Sequence, residues 1–187
     1  MKTQLLKFSL FAIVGSLLFS ACKKDKPEEN DEEVITTMRL TFTPVGGGAA
    51  VTFQFDDPDG PGGGAATQDT IRLAPARTYG VTVQLLNKTA NPVADITTEV
   101  NDEANAHRFY YTPNATANIT VGGLNNDAAG IPLGITSNWT TTAASIGKLT
   151  VTLRHYAGTP PNKALGDLVN DAKSATDIEV AFNTKIQ

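Results

Sequence analysis

From residue 34 to the end of the 187-residue sequence, apolar side chains recur at every second position, and that period leaves few folds open. Met38, Leu40 and Phe42 alternate with Arg39, Thr41 and Thr43. Val51, Phe53 and Phe55 alternate with Thr52 and Gln54, and Tyr79, Val81, Val83 and Leu85 with Gly80, Thr82 and Gln84. Ile71-Leu73, His107-Phe109-Tyr111, Ala117-Ile119-Val121, Leu133-Ile135-Ser137-Trp139, Leu149-Val151-Leu153 and Ile178-Val180-Phe182 complete nine candidate strands. A strand turns successive side chains to opposite faces, so each of these has one apolar face that another layer must cover. Glycine, Asp-Gly and Asn-Asn punctuation falls between most of them. The pattern predicts one all-β domain over residues 34–187, an immunoglobulin-like antiparallel β-sandwich of about 8–9 strands. TFTPVGGGAAVTF and YYTPNATANITV each place Thr-Pro after one apolar run and small residues before the next, and both are expected to be hairpins. Asp95 is expected to cap a short helix with Ile96, Val100 and Ala104 on one side. Residues 159–175 read as a long loop with room for one helical turn.

The other end of the chain is organised differently. Lys2 and Lys7 flank the start of an uncharged apolar run at residues 8–19 (FSLFAIVGSLLF), followed by Ser20, Ala21 and the lone cysteine, Cys22. A helix needs about 20 apolar residues to cross a ~30 Å hydrocarbon core, so this run has the length of a secretory signal, placed at residues 1–21. A single cysteine leaves no intrachain disulfide. Residues 22–33 follow as a tether, which after Cys22 holds three lysines and six carboxylates and almost nothing apolar. It cannot bury enough surface to offset chain entropy. The full-chain net charge is −4, and losing Lys2 and Lys7 with the signal makes it −6. An acidic domain without a basic patch is a poor ligand for phosphate, which excludes nucleic acid as a partner.

The stretch Leu18-Phe19-Ser20-Ala21-Cys22 resembles the bacterial lipobox, with Phe19 where an aliphatic residue is usual. The resemblance implies acylation of the Cys22 thiol, removal of the signal and acylation of the new amine. Each buried CH₂ contributes about 0.8 kcal/mol, and two or more chains anchor stably. Lysines and acids directly after the cysteine are similar to the surface-export tether of Bacteroidetes lipoproteins. The wider run, through VITTMRLTFTPVGGGAAVTFQF to LTVTLRH, TDIEVAF and KIQ, resembles short surface and outer-membrane lipoproteins of that phylum. Some of that group are catalogued as type 1 periplasmic binding fold proteins. Such a fold needs strands alternating with helical patterns, which this chain lacks. The resemblance implies a lipid-anchored outer-membrane protein, displayed at the cell surface or else facing the periplasm, and it implies no activity.

No nucleophile elbow, phosphate loop or helical histidine pair is present, so the domain is expected to be non-catalytic and to need no cofactor. The expected role is binding a partner or ligand at the envelope, an envelope protein or a glycan. The alternatives are a metal- or haem-scavenging lipoprotein and a structural envelope protein. Several residues are candidates, each with an ordinary structural reading beside it. Asp57 and Asp59 lie in an acidic turn that offers oxygens to calcium, with Asn125, Asn126 and Asp127 a second such cluster. His107 and His155 share parity with apolar faces at strand ends and could meet at one rim, where Glu103 would make a zinc or copper site. Two strand histidines are also similar to those of haem-capturing lipoproteins, although the wider sequence does not match them. Trp139 could stack on a sugar if it faced outward with Tyr110 or Tyr156; its parity favours the core. Asp69-Thr70-Ile71 resembles the Bacteroidetes O-glycosylation sequon, with Thr70 the acceptor. Acylation is the sharpest of these expectations: palmitate should label the wild type and not Cys22→Ser, and equal labelling of both, or of neither, would refute it.

Overall fold

The computed structural model describes residues 33–187. The signal segment, Cys22 and the tether up to residue 32 lie outside the described residues. Among the described residues, eleven strands form two sheets, accompanied by one helix. The first sheet has seven strands: β1 (Thr37–Pro44), β2 (Val51–Asp56), β3 (Thr67–Gln68), β5 (Thr78–Asn87), β6 (Ala94–Asp95), β8 (Ile119–Gly122) and β9 (Thr136–Thr141). They run in the order β3-β2-β1-β5-β9-β8, with β6 paired to β5. The second sheet orders β4 (Ile71–Leu73), β11 (Ser174–Ile186), β10 (Ser145–Tyr156) and β7 (His107–Pro113). All pairs are antiparallel except β4 with β11. Among the described residues, no helix is long and apolar enough to cross a membrane.

The period-2 pattern explains the layers. Met38, Leu40 and Phe42 of β1, with Val81, Val83 and Leu85 of β5, are buried facing Phe109 of β7, Leu149, Val151 and Leu153 of β10, and Val180 and Phe182 of β11. Fully burying such a side chain contributes about 1.5–3 kcal/mol. The residues between them, such as Thr41, Thr52, Thr78 and Thr140, stay on the outer face and pair hydroxyl to hydroxyl across strands. Helix α1 (Ile96–Asp102) forms as its sequence suggests: the Asp95 carboxylate accepts from the Thr97 N–H, and Ile96 and Val100 are buried.

All nine sequence-read strands are present, and the two additions, β3 and β6, are two residues long, too short for a period to register. The loop from β10 to β11 contains turns and no helix. One expected hairpin holds, β1 with β2. The other does not: β7 pairs β10 in the smaller sheet while β8 pairs β9 in the larger one. Its connection is a corner between the layers, held by the Asn114 Oδ1, which accepts from the Lys148 N–H. A second segment also ties the layers. The Leu133 carbonyl accepts from Phe109 of β7, and the Ile135 carbonyl accepts from Val83 of β5. The seven-to-four division with a parallel edge pair goes beyond anything that strand count could specify.

At that corner the layers touch closely. A Cβ added at Gly147 would lie 2.6 Å from Ala117 Cα and 2.7 Å from its nitrogen, both main-chain atoms. Gly147→Val should therefore destabilise by at least about 1–3 kcal/mol, the usual range for overpacking. Gly166→Ala, with open space around it, should leave chemical denaturation midpoints nearly unchanged. Equal midpoints for the two variants would contradict this packing.

Candidate metal centre

β10 is paired on both sides, and its register with β7 sets His155 directly opposite His107. Both side chains follow the inward parity of Leu153 and Phe109, so they end the core at one rim with ring centroids 4.5 Å apart. His107 is completely buried. Its Nδ1 donates to the Glu103 carbonyl at 3.1 Å when the other nitrogen carries the lone pair. That bond aims Nε2 into the rim.

Two carboxylates meet the histidines. Glu33, just before β1, places Oε1 2.7 Å from His107 Nε2. Asp177 comes from β11. There Leu153 pairs Ile178 while Arg154 pairs Thr176, so Asp177 is the extra residue of a β-bulge. Alternation alone would send it outward with Glu179 and Ala181. The bulge re-aims it instead, and its buried Oδ2 lies 3.8 Å from His107 Nε2. One donor atom from each of Glu33, His107, His155 and Asp177 falls within 4.8 Å of all the others.

The electrostatics follow from burial and proximity. Burial alone would raise the Glu33 carboxyl pKa, but the hydrogen bond and charge of His107 outweigh it and hold the pKa below the ordinary value. Burial alone would lower that of His107, but Glu33, the Glu103 carbonyl and Asp177 together raise it. His155 moves the other way: burial and the neighbouring His107 charge lower its pKa. Among the described residues, His155 Nδ1 and Glu33 Oε2 are buried with no hydrogen-bond partner. Leaving such an atom unpaired typically costs about 1–3 kcal/mol.

The structure thus brings together His107 and His155 as the sequence suggested and corrects the third member. Glu103 contributes its main-chain carbonyl, and the carboxylates come from Glu33 and Asp177. Composition places Glu33 in the tether, yet its side chain belongs to the folded rim. No sequence signal marks it, since an acid in an acidic run reads as solvated. Trp139 is fully buried, with Nε1 donating to Ser137 Oγ and edge-on contacts to Phe42 and Tyr111, so it presents no face for a sugar. Tyr156 is also buried, and its hydroxyl pairs with that of Tyr110. In the Asp57–Asp59 turn, Asp59 Oδ2 accepts from Gly64 N–H, and that bond lowers its pKa. The turn's acids do not form a metal-capable group among the described residues. Asp127 is taken by Lys163. Thr70 is half-buried where the chain passes between sheets, and Asp69 accepts from Gln54 N–H on β2. No protein-family model, curated protein or solved structure matches this chain.

A buried lysine braces the rim from behind. Lys163, in the loop between β10 and β11, donates to the carbonyls of Ala104, His107 and Pro132 and sits 2.7 Å from Asp127. Burial lowers its pKa, while Asp127 opposes that shift. Removing one member of such a pair strands the other charge. Lys163→Met should destabilise by about 3–5 kcal/mol, and Lys163→Met with Asp127→Asn by clearly less. Additive losses in a double-mutant denaturation cycle would contradict the pairing.

Proposed function

We propose that this chain is a lipid-anchored envelope protein whose non-catalytic β-sandwich holds a divalent transition-metal ion at Glu33, His107, His155 and Asp177. The observation that carries the reading is the convergence of two imidazoles and two carboxylates, from four separate segments, within 4.8 Å at a buried rim. Buried charges are rarely gathered without something to compensate them. The donor set narrows the ion. Two nitrogens and two oxygens without a thiolate suit zinc better than a soft monovalent ion, and calcium prefers six to eight oxygens. A tetrahedral zinc with bonds of about 2.0–2.2 Å sets its donors roughly 3.3–3.6 Å apart. Loading would draw the outer donors in and separate Glu33 from His107 slightly, which are side-chain movements. Four protein donors leave no open position, the mark of a holding site rather than a catalytic one.

The same geometry favours an ion over haem. His107 is fully buried and its ring lies against that of His155, which leaves no room for a porphyrin plane between them. The lipobox-like Cys22 and the export-like tether support placement at the outer membrane, with the surface as the favoured side.

Calorimetry on the full chain in detergent should show one equivalent of Zn²⁺ bound. Co²⁺ in its place should give the intense visible absorption of a tetrahedral site. His155→Ala and Asp177→Asn should each weaken binding at least tenfold. Wild-type binding that is absent, or unchanged in both variants, would refute the assignment.

A further inference from the structure

Resting on that reading, we infer that the ion acts as a clasp, fastening the chain's entry into the domain to the opposite sheet. Three of the four donors belong to the smaller sheet, on the adjacent strands β7, β10 and β11, where register and bulge fix their positions. The fourth, Glu33, belongs to the arm that leads into β1 of the larger sheet. Donors from both layers therefore meet at one point, the point where the chain enters the domain.

The arm has little else to hold it there. Among the described residues its main-chain hold on the sheet begins at Thr36, whose N–H donates to the Leu86 carbonyl and whose hydroxyl accepts from the Lys88 N–H. Between that anchor and Glu33, Ile35 packs on the core while Val34 is 51% exposed. Without an ion, the Glu33 carboxylate is bound to His107 by one oxygen, and its other oxygen has no partner. An ion would replace that single contact with coordination shared by three other donors. Occupancy then sets how firmly the entry segment is seated, and with it how rigidly the domain is carried by whatever precedes residue 33.

Site-directed spin labelling tests this. In the full chain in detergent, with Cys22→Ser, a nitroxide at Val34→Cys should lose mobility on addition of one equivalent of Zn²⁺ and regain it with a chelator. A nitroxide at Gly166→Cys, on an exposed loop, should not respond. With Glu33→Gln added, Zn²⁺ should bind at least tenfold more weakly, and at saturation the label at 34 should keep its metal-free mobility. Binding with an unresponsive label in the wild-type background would overturn the clasp and leave the metal site standing. An equal response in Glu33→Gln would overturn the clasp as well. Failure of Zn²⁺ to bind at all, read by calorimetry on the same samples, would remove both.

Discussion

The rim inherits its geometry from one register. β10 pairs over most of its length with β11 and β7 at once, so Leu153 faces both Phe109 and Ile178, and His155 faces His107. Side chains alternate with period two, so a slip of one residue would set His155 against Arg108 and turn the apolar set outward. The core and the donor cluster are thus fixed by the same choice. The hydrophobic contacts of Leu149, Val151 and Leu153 make any other register prohibitively unfavourable, and the histidines at the strand ends are positioned by that packing.

How far the molecule could be read in advance depended on whether each feature was local. Alternation is local, and it yielded the main strands, the two-layer core and the burial of Trp139 by parity, while an equally local cap and i, i+4 spacing yielded the helix behind Asp95. The histidine pair was legible for the same reason: both rings share the parity of apolar neighbours at the ends of their runs. Sheet membership is not local. Thr112-Pro113 announces a turn, but nothing in it says that β8 will join the other layer, and the hairpin reading failed there. The carboxylates failed for two further reasons. Asp177 has outward parity by count and is turned by a bulge invisible in composition. Glu33 is one acid among several, distinguished only by where β1 begins.

Lys163 shows a related limit. In sequence it is a lysine in a polar loop, which suggests a solvated ammonium. In the fold, three main-chain carbonyls and a carboxylate surround it. The carbonyl of His107 is among them, so the loop is fastened to the residue at the centre of the metal-capable cluster. A long connection that could have been loose is therefore held against the rim by an ion pair under cover.

The strand at the heart of the smaller sheet is the last of the described strands in chain order. β11 lies between β4 and β10, and even the Gln187 N–H donates to the Leu73 carbonyl. Until β11 arrives, β4 has no neighbour within its layer and the flank of β10 is bare. This layer therefore cannot close until β11 has been made, and the larger sheet waits meanwhile with its apolar face uncovered. Open strand edges of this kind invite pairing with other chains. A protein wired this way depends on being kept apart from its copies until β11 is in place.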